Sequence, residues 1–314
     1  MIRRIAQVLQ GSKSLNFKTL WGIFKKTLVL MRNEPMLWSP ILRMVLLNFM
    51  FLGLLLTIIA FLFSKYNTSF GQVLTLGIIL LVFILGRILY FGYLFGIVSA
   101  MVLLYSQNKP ISFRAADVMV RGRIVSLAAL NFLVQILSIF FGSEEGGDRA
   151  RVLTALLGLF ALESVDLLGH VLVPVIVTEN VSLAAGVKAL KDLRNHAPAG
   201  FAGIFALDMA QGLLSLLLYP GLVGIGLLGV LLGHLGLNFF PSNTAITLLN
   251  ISFSWVPPVT GIMLLLLLWS AFIKPVFEGL KLIYFTLFYL MIRHKEEISP
   301  RIQTLLQTLM PNMA

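Results

Sequence analysis

Long apolar blocks are the feature that most constrains this chain. There are six of them: Ile41–Phe63, Leu74–Leu104, Ile124–Phe141, Val152–Val177, Phe201–Leu237 and Val256–Ile292. A helix needs about 20 mainly apolar residues to cross the hydrocarbon core of a bilayer, and every block except Ile124–Phe141 reaches that length comfortably. Only 12% of the 314 residues are charged, whereas a soluble domain carries about 25%. We therefore predict an all-α polytopic transmembrane bundle of about six spans over residues 41–292, between an N-terminal segment, 1–40, and a C-terminal tail, 293–314.

The positions of the 24 lysines and arginines predict how this bundle is oriented. Most of them lie in the first forty residues, in the connections at 109–123 and 188–194, and in the C-terminal tail. Basic residues prefer the cytoplasmic side of a membrane. We therefore predict that both termini are cytoplasmic and that the loop Gly142–Arg151 faces outwards. We expect the membrane to be a bacterial inner membrane. The same asymmetry explains the net charge of +11 without a nucleic-acid partner.

Two of the apolar blocks are too long for one straight span. Pro220 interrupts Phe201–Leu237, and Pro275 interrupts Val256–Ile292. Proline removes a helical hydrogen bond, so each block is either one broken helix or two short spans. We favour six spans over eight, because the charged residues around Pro275 suit a turn on the outer side poorly.

The segment Leu15–Asn33 is predicted to be an amphipathic helix at the membrane surface. Trp21 belongs to its apolar face, and Lys18, Lys25 and Lys26 lie elsewhere on the helical wheel. A helix of this kind lies in the headgroup plane and binds anionic lipid. It serves either as an anchor that fixes the topology or as a docking surface for a partner.

The two inner connections follow one pattern. Ser112 opens a segment that runs on to Arg121, and Ser182 opens a segment that runs on to Arg194. Because a serine can cap a helix, each connection is predicted to contain a short interfacial helix, near residues 111–121 and 181–195. The recurrence indicates a repeated unit of two spans and an inner helix.

The second of these units also carries a family resemblance. Between His170 and Glu179 an apolar span contains Pro174 and ends in an acidic residue, and Val181–Leu193 follows with small and basic residues. The pattern resembles six-span membrane domains of bacteria and archaea, some of which are fused to glycerophosphodiester phosphodiesterases. The pattern covers roughly residues 165–200. The rest of the chain resembles these domains only in the order of its spans. The resemblance implies a six-span helical fold and no particular reaction. The acidic residues upstream of the pattern are not part of it.

Ionisable side chains inside the predicted spans are the candidate functional residues, because such groups are costly in hydrocarbon. Glu163, Asp166 and His170 lie at offsets of three and seven residues, which places them on one helix face. We name these three residues the first stripe. They form a path for a proton or another ion or substrate, a divalent metal site with oxygen and nitrogen ligands, or a structural ion-pair partner of Arg87.

A second stripe has the same spacing in the fifth predicted span. Its members are Asp208, Gln211 and Ser215. Arg87 is the deeply placed cation of the first five spans. Because buried charges are usually paired, we expect Arg87 to lie within salt-bridge reach of Asp208 or of an acid of the first stripe. Gly92, Gly96 and Ala100 repeat every four residues, which predicts close helix packing.

Signatures of catalysis are missing from the sequence. It has no cysteine, no Gly-Lys-Ser/Thr phosphate loop, no Gly-x-Ser-x-Gly elbow and no His-Glu-x-x-His motif. We therefore predict neither an enzyme nor a cofactor. One expectation is a non-catalytic accessory, assembly or lipid-organising subunit; the alternative is a secondary carrier for an ion, a lipid or a small amphiphile. The predicted partners are the bilayer, anionic headgroups at the cytoplasmic face and other membrane subunits.

Overall fold

The protein is predominantly α-helical in a computed structural model. The structure describes residues 25, 27–64, 70–142, 150–190, 197–216, 220–221, 224, 227, 245–248, 251–254 and 256–300. Eight helices are labelled here in chain order: α1 (Trp38–Ser64), α2 (Phe70–Ser106), α3 (Phe113–Arg121), α4 (Ile124–Gly142), α5 (Ala150–Thr178), α6 (Leu183–Ala189), α7 (Ala197–Leu216) and α8 (Val256–Arg293). Single 3-10 turns lie at Pro35–Leu37 and Lys295–Glu297. The predicted helical class is confirmed.

Three helical stretches are long and apolar enough to cross a membrane: Pro35–Leu55, Gly71–Ser106 and Ala271–Arg293. Two further pairs pass the same test together although they are sharply bent. The pair α3–α4 turns through 85°, and the pair α5–α6 turns through 108°. The described part of the chain therefore holds three to five candidate spans.

The last apolar block forms one continuous helix. Pro275 lies inside α8, which runs unbroken from Val256 to Arg293. The alternative of two short spans in this block is therefore wrong. The first half of the block before it forms α7, and most of residues 217–244 lie outside the described residues.

The chain divides into two compact units. The first contains residues 1–208 and 275–314, and the second contains residues 209–274. The second unit contains a short antiparallel hairpin of β1 (Ala245–Leu248) and β2 (Ile251–Ser254). These strands are not among the predicted elements, which were all helical.

Within the first unit, small residues allow the helices to approach closely. A Cβ added at Gly92 of α2 would lie 2.7 Å from the backbone oxygen of Leu127 in α4, and one at Gly96 would lie 2.6 Å from the Leu127 side chain. Gly279 of α8 meets Ile41 of α1 in the same way, at 2.5 Å. The predicted close packing at Gly92 and Gly96 is confirmed. Gly279 allows an equally close approach between α8 and α1.

The stretch Ala271–Arg293 is the interior helix of the candidate spans. It is 83% buried, whereas Gly71–Ser106 is 6% buried, each over its most apolar window. Tyr284, Phe285 and Tyr289 are among the largest fully buried side chains of the described residues. The buried side chains of α8 after Pro275 therefore belong to the core of the first unit.

Both inner connections have the same local geometry. Asn108 and Asn180, which follow α2 and α5, adopt left-handed backbone conformations with φ of 58° and 51°. In each turn the next N–H donates to a carbonyl five residues back, which is the Schellman form of helix termination. Ser112 and Ser182 then accept hydrogen bonds from the backbone N–H groups of Ala115 and Ala185. The predicted serine-capped helices are confirmed as α3 and α6, although residues 191–195 of the second predicted helix lie outside the described residues, and the position of both helices at the cytoplasmic surface stays a prediction.

Candidate functional site

Five ionisable side chains from three helices meet inside the first unit. Asp166 and His170 come from α5, Asp208 from α7, and Glu278 and Lys281 from α8. We name these five residues the core cluster. Asp166 and His170 are four residues apart, and Glu278 and Lys281 are three apart, so each pair lies on one helix face. Helical periodicity therefore places both pairs where the helices meet.

The ammonium of Lys281 bridges two carboxylates. Its Nζ atom lies 2.6 Å from Oδ2 of Asp166 and 2.8 Å from Oδ1 of Asp208. The Lys281 side chain is 6% exposed, whereas those of Asp166 and Asp208 are 27% and 30% exposed. The cation is thus enclosed, and its two carboxylate partners lie at the border of the packed region.

His170 has an oxygen atom opposite each ring nitrogen. Nδ1 lies 2.8 Å from the backbone carbonyl oxygen of Asp166 and 3.2 Å from its Oδ1. Nε2 lies 2.9 Å from Oε2 of Glu278. The ring of this buried histidine is flanked by the rings of Phe95 and Phe285, with centroids 6.4 and 6.0 Å away. Packing therefore holds both nitrogens on their partners.

This arrangement requires a proton between His170 and Glu278. A carbonyl oxygen can only accept, so Nδ1 must carry hydrogen to bond the Asp166 carbonyl. Nε2 then either donates to the Glu278 carboxylate as part of an imidazolium or accepts from a protonated Glu278. In both forms one proton lies on the line between Nε2 and Oε2, and the His170–Glu278 pair is neutral overall.

The formal charge of the core cluster does not balance. With the His170–Glu278 pair neutral, two carboxylates face the single ammonium of Lys281, which leaves one excess negative charge. Uncompensated charge is costly away from water, and such a group takes up a proton or acquires a counter-charge. The core cluster is therefore suited to binding a further proton or cation.

The core cluster lies about half-way through a bilayer-sized span. Asp166 precedes the last residue of α5, Thr178, by a length of about 18 Å at 1.5 Å per residue. Lys281 precedes the end of α8 at Arg293 by the same number of residues. The hydrocarbon core is about 30 Å thick. In a membrane, these charges would be close to its midplane.

Three members of the core cluster also form a possible ligand set for a metal ion. Asp166, His170 and Glu278 each offer one ligand atom, and these atoms lie within 4.8 Å of one another. Imidazole and carboxylate suit several transition metals. However, the Lys281 ammonium lies 2.6 Å from Asp166 and would repel a divalent ion there. The geometry thus favours protons and monovalent cations.

Arg87 does not form the predicted ion pair with Asp166 or Asp208, and the side chain of Glu163, the third acid predicted as its partner, lies outside the described residues. Both carboxylates bind Lys281, and Nε of Arg87 donates to Oδ1 of Asn48 at 3.0 Å. The Arg87 guanidinium also lies over Phe51 and Phe91, in each case 5.1 Å from the ring centroid. Among the described residues, a neutral amide and two aromatic faces accommodate this cation.

The other predicted site residues are placed as follows. Glu163 belongs to α5, but its side chain lies outside the described residues. Gln211 follows Asp208 in α7 and belongs to the second unit. Of the predicted membrane-surface residues, Lys25 is exposed and helical. Lys18, Trp21 and Lys26 lie outside the described residues.

The structure adds Glu278 and Lys281 to the site. Sequence reasoning noted both as charges that suit a membrane turn poorly, but did not connect them with the first stripe. The available signal was their spacing: opposite charges three residues apart share a helix face in an otherwise apolar segment. A buried lysine needs an acidic partner, and the first stripe supplies one.

A second polar group lies at the ends of α5 and α8. Oε1 of Glu179 accepts hydrogen bonds from the hydroxyl of Tyr289 and, at 2.9 Å, from Nε2 of His294. These two donors, the tyrosine first, hold the pKa of the Glu179 carboxyl below its usual value. Arg123 donates to the side chain and backbone oxygens of Asn180. The two inner connections therefore meet at one end of the first unit.

Comparison of the chain with protein families, with curated proteins and with solved structures finds no match. The resemblance to the six-span membrane domains thus stays a prediction.

Proposed function

We propose that this protein is a non-catalytic integral membrane protein that acts as a proton-linked secondary carrier for an ion or a small amphiphile. The observation that supports this function is the 2.9 Å contact between Nε2 of His170 and Oε2 of Glu278, which needs a shared proton, in a cluster whose formal charge is negative. Ionisable groups deep within membrane spans commonly mark proton relays and ion pathways.

The chemistry of the core cluster suits coupling. When the shared proton leaves, the His170–Glu278 pair becomes negative, and the charge that Lys281 must balance increases. Uptake of a second proton by Asp208 would cancel the excess charge instead. Each step changes the attraction between α5, α7 and α8, because all five charged groups lie on these helices. Proton binding is thereby linked to the packing of three helices.

The proposed topology has six spans with both termini in the cytoplasm of a bacterial inner membrane. Several segments predicted to be cytoplasmic meet at one end of the first unit, which supports this orientation. The N–H of Ser299 donates to the carbonyl of Ser106 at 2.9 Å, and Arg123 reaches Asn180. These contacts join the tail after α8 to the end of α2, and one inner connection to the other. A periplasmic reporter signal from a fusion at the C terminus would contradict the orientation.

The test of the carrier function uses the full-length protein in proteoliposomes on a solid-supported membrane. A rapid pH jump moves protons onto or off accessible sites and produces a transient current that needs no knowledge of the substrate. We expect a saturable current from the wild type. We expect Glu278→Gln to abolish most of it, because the amide cannot release the shared proton.

Glu296→Gln is the matched control, because Glu296 is an exposed acid outside the core cluster. Its current should equal that of the wild type. A wild-type current no larger than that of empty liposomes would mean that the core cluster is sealed from water. The carrier function would then be rejected.

An accessory or assembly role is the second candidate, and the exposure of α2 favours it. This helix has 37 residues, or about 55 Å, and as far as Leu89 it exposes large apolar side chains: Val73, Leu74, Ile78, Ile79, Leu81, Val82, Leu85 and Leu89. Such a surface suits lipid or another membrane subunit. Extraction in a mild detergent followed by mass spectrometry tests this role. A stoichiometric membrane subunit that is lost when Leu81 and Val82 are changed to alanine would support it, whereas a pure monomer would contradict it.

A further inference from the structure

We infer that Asp166 and Asp208 form a binding site for a monovalent cation or primary ammonium group, and that Lys281 fills this site in the present state with its own side chain. Two carboxylates on different helices hold one ammonium, at 2.6 and 2.8 Å, from a third helix. The inference concerns binding and holds whether or not the protein transports its ligand.

The two carboxylates have the geometry of a cation site. They come from α5 and α7, far apart in sequence, and their oxygens converge on a single nitrogen atom. Charge-assisted hydrogen bonds of this length are the strong ones, so the positions of the two oxygens are well defined. Removal of the lysine head would leave two negative groups around an ammonium-sized gap.

The occupant of the site limits the ligand class. A primary ammonium group already fits between the carboxylates, so small primary amines match in size and charge, and a monovalent metal ion would have to lose most of its water to fit. A divalent cation is disfavoured while Lys281 contributes its own charge. Quaternary ammonium ions lack the N–H donors that both carboxylates use. The ligand we expect is therefore a small N–H-bearing cation, with sodium as a weaker substitute.

The exposure of the two acids supports access to this site. Lys281 is almost completely buried, yet Asp166 and Asp208 remain 27% and 30% exposed. A small cation can therefore reach the carboxylate oxygens from outside the packed region once the lysine head is absent. The excess negative charge of the core cluster attracts such a cation.

The test uses the detergent-purified full-length Lys281→Ala protein, with methylammonium as the probe and choline at equal ionic strength as the control salt. The thermal midpoint of unfolding is followed by tryptophan fluorescence. We expect methylammonium, but not choline, to raise the midpoint of Lys281→Ala in a saturable way. The rise should be on the order of 5 °C at a hundredfold excess over the dissociation constant. The wild type should respond much less than Lys281→Ala, because its lysine occupies the position between the two carboxylates.

Two further variants make the result specific. Lys274→Ala removes an exposed lysine from the same helix and should behave like the wild type. Lys281→Ala combined with Asp208→Asn removes one carboxylate and should lose the response to methylammonium. A folded Lys281→Ala protein whose midpoint is the same in methylammonium and in choline would overturn the inference.

Failure of the single variant to fold also gives a decisive result. If Lys281→Ala yields folded protein only when methylammonium is present during extraction, the cation has replaced the lysine and the inference is supported. If no cation restores folding although the double variant folds, the two carboxylates need the tethered lysine itself. The inference would then be wrong, while the pH-jump current would still test the carrier function separately.

Discussion

Nε2 of His170 lies 2.9 Å from Oε2 of Glu278, and this contact joins α5 to α8 in the interior of the first unit. The other ring nitrogen is held by the Asp166 carbonyl at 2.8 Å. The imidazole therefore has a partner on each side. Loss of either partner would leave one ring nitrogen buried without a hydrogen bond.

We expect Glu278→Ala to lower the free energy of unfolding by about 3 kcal/mol, because removal of one partner of a buried pair leaves the other uncompensated. Unfolding by sodium dodecyl sulfate in mixed micelles, followed by tryptophan fluorescence, measures this loss. Glu296→Ala at an exposed position should change it by less than about 0.5 kcal/mol. Equal losses in the two variants would refute a buried role for Glu278.

The pairing of Arg87 with Asn48 predicts a specific coupling between these two positions. In a double-mutant cycle, Arg87→Leu and Asn48→Ala should show an interaction energy of about 1 kcal/mol, because their side chains share a hydrogen bond. Arg87→Leu and Asp166→Asn should instead add within about 0.5 kcal/mol. Strong coupling of Arg87 to Asp166, without coupling to Asn48, would contradict this arrangement.

The close contact of α2 with α4 predicts opposite outcomes for two glycines of the same helix. Gly92→Ala should destabilise the protein by about 1–3 kcal/mol, because its Cβ would lie 2.7 Å from the Leu127 backbone oxygen. Gly86 has no neighbouring atom within 4 Å of an added Cβ, and Gly86→Ala should be neutral or stabilising by up to about 1 kcal/mol. Thermal unfolding of both variants tests the pair, and a stable Gly92→Ala protein would argue against the α2–α4 contact.

The serine caps of α3 and α6 predict that the two serines contribute unequally to stability. Ser112→Ala should lower stability by about 1 kcal/mol, because Ser112 accepts from the Ala115 N–H at 3.1 Å. Ser182→Ala should cost less, because its capping distance to the Ala185 N–H is 3.5 Å. Hydrogen exchange of the α3 and α6 amides would locate each loss. Protection lost equally throughout the bundle would not fit a local cap.

The lowered pKa of Glu179 predicts a pH dependence with a defined sign. The folded protein favours the carboxylate form, because Tyr289 and His294 donate to it. Its contribution to stability is present above pH 4.5, the ordinary value for this group, and is lost as the pH falls below it. The wild type should thus exceed Glu179→Gln in unfolding midpoint at neutral pH, and the difference should shrink below pH 4.5. If the difference in unfolding midpoint grew below pH 4.5, the pKa of Glu179 would be raised and not lowered in the folded protein.

The local features that sequence predicts well are those set by short-range chemistry. Ser112 and Ser182 are recognisable caps because a hydroxyl reaches the N–H three residues later whatever the surroundings. The four-residue spacing of Gly92 and Gly96 likewise marks a close contact, although it does not say that Leu127 is the partner. The apolar blocks likewise predict helices, because the length of each block is a local property of the sequence.

Partners across the bundle are harder to predict. A single sequence contains the first stripe and Lys281, but the contact of Lys281 with acids on both α5 and α7 follows from packing, which periodicity does not encode. Arg87 was predicted to be the partner of these acids because it is the deeply placed cation of the first five spans. Its guanidinium is accommodated by Asn48 and aromatic rings, whereas the compact ammonium of Lys281 needs carboxylates. The sharp bends of α3–α4 and α5–α6 also reduce the count of straight spans.

The burial of Ala271–Arg293 has a consequence for how the protein is made. This stretch is the last of the candidate spans to leave the ribosome, yet it occupies the interior. The earlier helices must therefore leave room until it arrives. Glu278 and Lys281 would each cost about 2.5–3.5 kcal/mol to place in bare lipid, but Asp166 and His170 have been synthesised before them. Correctly inserted early helices thus make the late helix easier to insert, and a chain with a misplaced α5 would stall at the translocon with two unpaired charges.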